Sequence, residues 1–214
     1  MSGRIQNGVR AVWQSLALAL PIGLAGGVVG TAFHIAVEQV TALRAAQGWL
    51  LWLLPIAGLG ITALYQVLRC QGLGTDDVLR TVQQGKPLPL ALTPAIFLGA
   101  VLTHLCGGSA GREGAALQMG GSIGWTIGSW EKQSPAGRRC AAVCGMAALF
   151  SALFGTPMAS ALFAVTVAQV GGSFAPALAP SLVAALIASG VSSAAGIAPT
   201  AFRVVMPALT WQTA

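Results

Sequence analysis

A glycine-rich segment that carries two adjacent charges, residues 107–121, lies in the middle of a strongly apolar chain. Arg112 and Glu113 are the only charged residues between Lys86 and Glu131. A charge at membrane depth costs free energy, and irregular backbone is tolerated there only where protein buries it or where it lines a water-filled cavity. The combination predicts an ion site enclosed by helices. A wet loop between two ordinary helices is the alternative interpretation of the same residues.

The small charged fraction of the whole chain indicates a membrane location. Of its 214 residues, 55% are hydrophobic and 7% are charged, whereas about a quarter of the residues of a soluble domain are charged. So few charges cannot cover the surface of a water-soluble protein, and we expect a multi-pass protein with the lipid bilayer of the cell membrane as its solvent. The net charge of +6 is dispersed along the sequence, which does not indicate a nucleic-acid partner.

The apolar stretches have unequal lengths, and most are too short to cross a bilayer. A transmembrane helix needs about 20 apolar residues, and only two or three segments reach that length, among them 12–37 and 50–68. Shorter apolar stretches follow, separated by glycine, proline or polar residues: 94–106, 113–130, 140–154, 158–170 and 175–195. Broken, half-length helices are typical of transporters and channels with a site near the bilayer midplane. The predicted fold class is therefore an all-α, polytopic membrane protein.

Basic residues predict which side of the membrane each connection faces. Arg4 and Arg10 precede the first span, and segment 69–86 carries three basic residues, whereas the connection between the first two spans carries only Arg44. By the positive-inside rule, we expect residues 1–11 and segment 69–86 on the cytoplasmic side. The first span is expected to be retained, since no signal-peptide cleavage site follows it. Segment 69–86 also contains a short, capped amphipathic helix that opens at its Thr-Asp-Asp sequence.

Glycines in the first span predict close contacts between helices. Gly23 and Gly27 form one small-xxx-small pair, and Gly26 and Gly30 form a second. Small residues at this spacing let helix backbones approach each other within a bilayer. We therefore expect the first span to pack tightly against other helices of the bundle.

The cysteines and histidines do not have the spacing of a metal site. Cys140 and Cys144 lie on one helical face without a paired CxxC motif or clustered histidines, so we interpret the cysteines as small apolar side chains. His34 and His104 are interpreted as structural. We expect no metal and no cofactor. The chain also lacks a catalytic triad and a nucleotide-binding loop, so we expect that it is not an enzyme.

The start of a helix within residues 107–121 suits an anion. A helix that begins near Glu113 or Gly114 leaves its first amide N–H groups without intrahelical partners, and these groups, together with the helix dipole, attract negative charge. The Glu113 carboxylate competes for that position, and its protonation frees the site, so Glu113 is predicted to act as gate and proton carrier. The Arg112 side chain is predicted to point away, towards a carboxylate, carbonyl groups or the interface, because a buried guanidinium would hold an anion too tightly.

Two motifs follow each other along the chain. Residues 111–114 read Gly-Arg-Glu-Gly and precede Gln118, and residues 154–164 read Phe-Gly-Thr-Pro-Met-Ala-Ser-Ala-Leu-Phe-Ala. They resemble the GREG-x-x-x-Q and Phe-x-x-Pro-Leu-Ala-Gly-x-x-Phe-Ala motifs of the ClC family of chloride channels and proton-coupled anion antiporters. The resemblance covers about residues 12–200 and implies the first inverted repeat of the ClC fold. Within this family, the sequence is similar to prokaryotic members without cytoplasmic regulatory domains, near the fluoride-exporting branch.

The resemblance also implies the roles of individual residues. Glu113 corresponds to the external gating glutamate, and the backbone around it, at Gly111, Arg112, Gly114 and Ala115, corresponds to part of the anion site. The implied partners are chloride or fluoride, protons, and either a second copy in a homodimer or a partner that supplies the second half. Whether the chain is a channel or an antiporter stays open.

Three segments depart from the family pattern. The family's Gly-Ser-Gly-Ile-Pro segment reads Gly-Leu-Gly-Thr-Asp-Asp at 72–77, where Gly72 is a candidate anion contact. Residues 172–176 mimic the Gly-x-Phe-x-Pro motif of the missing second half, which makes Phe174 another candidate. At 165–167 the chain has Val-Thr-Val where proton-coupled members often have an acidic residue.

The length matches only one of the two halves of a family member. The resemblance predicts a cytoplasmic segment at 1–11, a membrane domain at 12–200 and a C-terminal tail at 201–214. The second half normally supplies a tyrosine to the anion site, and the single tyrosine here, Tyr65, lies in the second span, where it is not expected to replace it. The chain is therefore interpreted either as a half that needs a partner to conduct or as a non-transporting remnant or accessory membrane protein.

Overall fold

The computed structural model describes residues 2–168 and 175–198, with side chains described for 17–168 and 176–198. These residues form helices, with no β-strand among them. The α-helices are α1 (Ser2–Ala46), α2 (Leu54–Val67), α3 (Thr75–Gln84), α4 (Leu92–Leu105), α5 (Arg112–Trp130), α6 (Pro135–Phe154), α7 (Pro157–Ala168) and α8 (Leu178–Ala194), and 3-10 helices at Gly48–Leu53 and Ala175–Ala177 precede α2 and α8. The predicted all-α fold class is confirmed.

The structure contains both long and short apolar helices, as the sequence predicted, but α6, which was predicted as a short stretch at 140–154, has full spanning length. Within the described residues, three helical segments are long and apolar enough to cross a membrane: Ala17–Ala46, Gly48–Val67 and Pro135–Phe154. Helices α4, α7 and α8 are apolar but shorter. Among the boundaries that differ from the prediction, α1 begins at Ser2 and continues to Ala46, and α6 begins within the segment predicted to be polar. The break predicted at 171–172 lies outside the described residues.

Local sequence features are compatible with the continuous course of α1 and explain the early start of α6. Pro21 lies inside α1 without ending it, as is common in membrane helices, where neighbouring groups satisfy the carbonyl that proline leaves free. At the start of α6, the Ser134 hydroxyl accepts a hydrogen bond of 3.1 Å from the Gly137 amide. Pro135 follows in the first helical position, where its missing N–H costs nothing. Ser134 and Pro135 therefore start α6 within the segment that was predicted to be polar.

The two glycine pairs of α1 face two different helices. Gly23 and Gly27 lie against α8, whereas Gly26 and Gly30 lie against α6. A methyl group on Gly30 would lie 2.7 Å from the Cβ of Ala152, which is closer than two carbon atoms that are not bonded to each other can approach. The small-xxx-small prediction is therefore confirmed, and α1 is held by two neighbours at once.

The tightest crossing joins α5 and α6 through backbone atoms. A Cβ on Gly120 or Gly124 would overlap the backbone carbonyl groups of Gly145 and Ala141, respectively, and a Cβ on Gly145 would overlap the carbonyl of Gly120. No flexible side chain at this crossing is available to move aside. Because α5 carries Glu113 in its first turn, this contact positions the candidate site relative to the rest of the bundle.

The two histidines have partners on their own helices. His34 Nε2 lies 3.3 Å from a carboxylate oxygen of Glu38, and His104 Nδ1 lies 2.8 Å from the carbonyl oxygen of Ala100. Cys144 is buried in α6. The part of the chain that the structure describes contains no group of three or more His, Cys, Asp or Glu side chains that is arranged to hold a metal ion.

Candidate anion site

A glycine turn leads from α4 into the candidate site. Gly107 has a φ of +77°, in the left-handed region that glycine adopts most easily. The chain then reaches Gly111, the N-cap of α5, with φ −65° and ψ 134° and without a capping hydrogen bond from a side chain. The first helical residue is Arg112, so α5 begins one residue before the predicted start at Glu113.

This start determines which amides lack an intrahelical acceptor. The first four N–H groups of a helix have none, and here they belong to Gly111, Arg112, Glu113 and Gly114. Ala115 is the first residue whose amide can reach a carbonyl, that of the N-cap Gly111, and its side chain is buried. The geometry thus presents the amides of Gly111, Arg112 and Gly114 as unpaired donors at the start of α5.

The Glu113 carboxylate folds back over the start of its own helix. A Cβ placed on Gly111 would lie 3.1 Å from Glu113 Oε2, and both residues are exposed. The carboxylate therefore occupies the region in which the helix dipole and the unpaired amides favour negative charge. An anion bound to the same amides would compete with it.

The Arg112 side chain points to a different part of the molecule. Its Cζ lies 6.0 Å from the centre of the Phe154 ring, a cation–π distance. Phe154 opens the second signature motif, and Phe150 packs at a tilt against both Phe154 and Phe163, with ring centres 4.5 and 4.8 Å apart. The expected partner of Arg112 was a carboxylate, a carbonyl group or the interface, whereas the structure provides an aromatic ring, and the two sequence motifs meet at this contact.

The start of α3 meets the start of α5. Gln118 Nε2 donates a hydrogen bond of 3.2 Å to the Thr75 hydroxyl oxygen, and a Cβ on Gly114 would lie 3.6 Å from that oxygen. Gly72 lies in the preceding turn, with φ +72° and no atom within 4 Å of a Cβ placed on it. Thr75 is therefore a further candidate anion contact of this segment, which the sequence analysis did not name, and Gly72 stays a prediction. The feature of the sequence that could have identified Thr75 is a hydroxyl residue at the start of an amphipathic helix.

A cavity of about 270 Å³ lies beside the glycines of the motif. Its walls come from α2, α4 and α5, and they include Ile61, Tyr65, Gly99, Thr103, Gly111, Gly114, Ala115 and Gln118. Tyr65 was not expected to contribute to a site, but its ring lies against Gly99 in the cavity wall. The other candidate from the sequence, Phe174, lies outside the described residues, as does the predicted tail at 201–214.

Comparison with known proteins decides the family. A family model described as voltage gated chloride channel matches residues 60–214. The chain belongs to this family. A chloride/fluoride channel protein of Pseudomonas syringae pv. tomato is 33% identical over 158 residues, covering 73% of this chain and 35% of that protein. The H(+)/Cl(-) exchange transporter ClcA of Cronobacter sakazakii is 31% identical over 166 residues, covering 70% of this chain and 36% of that protein.

Solved structures of ClC proteins have the same fold. A CLC-type fluoride/proton antiporter matches with a TM-score of 0.81 and 34% identity, over 94% of this chain and 51% of that one. A slow cyanobacterial Cl-/H+ antiporter matches with a TM-score of 0.66 and 26% identity, over 83% and 46% of the two chains. The chain thus spans about a third to a half of the length of these ClC relatives. The predicted ClC resemblance is confirmed.

Proposed function

We propose that this chain forms the first half of a ClC-type pathway for small inorganic anions, chloride or fluoride, with Glu113 as its gate and proton carrier. The observation that carries the proposal is the position of the Glu113 carboxylate over Gly111, at a helix start whose first amides are unpaired. The names of the ClC relatives, which include chloride and fluoride transporters that exchange protons, support the same class of substrate.

Competition between the carboxylate and an anion supplies the mechanism. While Glu113 is ionised, its carboxylate occupies the positive end of the α5 dipole and repels an incoming anion. When Glu113 takes up a proton, it loses the charge that holds it there, and an anion gains access to the amides of Gly111, Arg112 and Gly114. Each replacement of the Glu113 carboxylate by an anion is therefore linked to the binding of one proton at Glu113, and each return of the carboxylate to its release.

Thr75 is suited to receive the anion next. Because Gln118 donates its amide N–H to the Thr75 oxygen, the threonine hydroxyl proton stays available for an anion. The cavity between α2, α4 and α5 is lined by Gln118, the donor of this hydrogen bond. We propose that an anion passes from the α5 amides to the Thr75 hydroxyl along this cavity, with Tyr65 in its wall.

The second half of the pathway is proposed to come from another polypeptide segment. Glu113 and Gly111 are exposed in this chain, although a gate needs protein on both sides to exclude water. The chain also spans only about a third to a half of its relatives. The exposure of Glu113 and Gly111 also fits the alternative function, a membrane protein that does not transport by itself. A neighbouring reading frame that encodes Gly-x-Phe-x-Pro and a later tyrosine would support transport over this alternative.

Anion flux in proteoliposomes tests the proposal. Vesicles loaded with chloride or with fluoride receive the chain alone, or the chain co-expressed with a second-half segment, in native and Glu113→Gln forms. Glu131→Gln is the matched control, because Glu131 is an exposed carboxylate at the opposite end of α5. We expect flux in the two-part sample that changes in Glu113→Gln and not in Glu131→Gln. Correctly folded protein without flux in any sample would favour the non-transporting alternative.

A further inference from the structure

An apolar groove runs between α1 and α5, at the end of α5 that lies away from Glu113. It has a volume of about 530 Å³, and one threonine is the only residue with a hydroxyl group in its walls. From Ile123 to Trp130, α5 rises by about 10 Å, which is about two thirds of one leaflet of a hydrocarbon core about 30 Å thick. The walls include Pro21, Leu24 and Val28 of α1, and Ile123, Ile127 and Trp130 of α5.

The side chains along this groove are exposed. Trp130 is 70% exposed, Val28 is 59% exposed and Leu24 is 46% exposed. Trp130 is the last residue of α5 and is followed by the polar segment 131–134, and tryptophan is enriched where a membrane meets water. The groove therefore begins at the membrane surface and continues into the hydrocarbon layer, where lipid chains are its neighbours.

A smaller cavity with polar residues adjoins the groove at its surface end. It has a volume of about 190 Å³ and is lined by Ala17, Leu18, Pro21, Glu131 and Gln133. Pro21 lines both the groove and this cavity, so the two spaces meet at that residue. Together they form an amphipathic site, with an apolar part in the membrane and a carboxylate and a carboxamide at the surface.

The turn that ends α5 places these two polar side chains. The Lys132 amide donates a 3.1 Å hydrogen bond to the Ser129 carbonyl, and the Gln133 amide donates a 3.0 Å hydrogen bond to the Gly128 carbonyl. These bonds hold the turn against the last residues of the helix. Glu131 is exposed and forms no ion pair within the described part of the chain, so its carboxylate is available to a ligand.

An apolar groove that ends at a carboxylate fits an amphiphile with a cationic head. A primary ammonium group has three N–H donors, and its hydrogen bonds to a carboxylate are stronger than those between neutral groups. The Gln133 carboxamide has N–H donors for a phosphate oxygen next to that ammonium. A choline head has the positive charge but no N–H donor, and a phosphate head without an amine carries a net negative charge that Glu131 repels.

We propose that the groove and the adjoining cavity bind phosphatidylethanolamine, with one acyl chain between α1 and α5 and the ammonium group on Glu131. This site lies at the opposite end of α5 from Glu113. Lipid binding there is therefore independent of the function proposed above, and we expect Glu131→Gln to change lipid binding without changing anion flux.

Native mass spectrometry of the purified full chain tests this site. The chain in detergent micelles is titrated separately with phosphatidylethanolamine, phosphatidylcholine and phosphatidylglycerol that have identical acyl chains. We expect phosphatidylethanolamine to bind more tightly than either of the others by about two- to fivefold, the range for an exposed ion pair. The same preference is expected when the chain is co-expressed with a second-half segment. Loss of the preference in that sample would show that protein covers the groove, and the proposal would be overturned.

Substitution of Glu131 predicts opposite changes for two lipids, which misfolding cannot imitate. Glu131→Gln should bind phosphatidylethanolamine more weakly, because the ionic partner is lost, and phosphatidylglycerol more tightly, because the repulsion is lost. Glu38→Gln is the matched control, since Glu38 is an exposed carboxylate of α1 that lines neither space, and it should behave as the native chain.

A second substitution tests the acyl-chain part of the site. Ala25 lines the groove, and Ala25→Leu should weaken binding of all three lipids by filling it. Circular dichroism and size-exclusion chromatography establish that each variant is folded. The proposal is overturned if the native chain shows no preference for phosphatidylethanolamine, or if folded Glu131→Gln keeps the native ratio of the two affinities. Native-like binding of all three lipids by folded Ala25→Leu would overturn it as well.

Discussion

Replacing Gly124 with alanine tests whether the backbone contact between α5 and α6 holds the candidate site in place. The new Cβ would overlap the carbonyl oxygen of Ala141, and a backbone group cannot rotate out of the way. Overpacking of this kind costs about 1–3 kcal/mol or more. In the opposite direction, alanine is favoured over glycine within a helix by about 1 kcal/mol, so the clash must be separated from this gain.

Gly190→Ala provides that separation. Gly190 lies in α8, and a Cβ placed on it meets no atom within 4 Å, so this variant has the helix-propensity gain without the clash. The difference in free energy of unfolding between the two variants then isolates the overlap, and we expect Gly124→Ala to be less stable by about 1–3 kcal/mol or more.

Unfolding of the two variants in mixed micelles, titrated with sodium dodecyl sulfate and followed by circular dichroism, gives this difference directly. The midpoint of Gly124→Ala should lie at clearly lower denaturant than that of Gly190→Ala. If the two midpoints coincide, α5 and α6 are not in backbone contact, and the positioning of Glu113 by this crossing is refuted.

Three further substitutions have expected outcomes. Asp77→Ala removes the carboxylate that accepts a 2.9 Å hydrogen bond from the Gly74 amide at the start of α3, and unfolding titrations should show a loss of about 0.5–2 kcal/mol. Gly155→Ala places a side chain at φ +67° after α6, which should cost about 1–2 kcal/mol in the same assay. Thr75→Val removes the acceptor of the Gln118 hydrogen bond, and chloride affinity measured by calorimetry should fall while the chain stays folded.

The sequence was most informative where a local pattern decides the structure. Glycine spacing predicted the close contacts of α1, and the lengths of the apolar stretches predicted that α4, α7 and α8 are short but were wrong for α6. The start of α5 was predicted within one residue, because Gly-Arg-Glu-Gly is a local signal for a helix N-terminus. A predicted helix boundary was wrong where an N-capping residue was overlooked, as at Ser134 before α6.

Contacts between distant segments were not available from the same patterns. Thr75 and Gln118 are 43 residues apart, and only the crossing of α3 and α5 brings them together. The aromatic partner of Arg112 similarly depends on how α6 ends near α5. Tyr65 was set aside because of its place in the sequence, whereas packing of α2 against α4 brings it into the cavity wall. Pairings of this kind depend on tertiary geometry that no spacing rule encodes.

Simultaneous recording of anion and proton movement tests the role of Glu113 most directly. In proteoliposomes that contain the chain together with a second half, an anion gradient should drive proton movement in the opposite direction. The account predicts that Glu113→Gln abolishes this proton movement while anion movement continues at an altered rate, since the neutral side chain neither competes with the anion nor carries a proton. Anion-driven proton movement that persists unchanged in Glu113→Gln would contradict the assignment of Glu113 as gate and proton carrier.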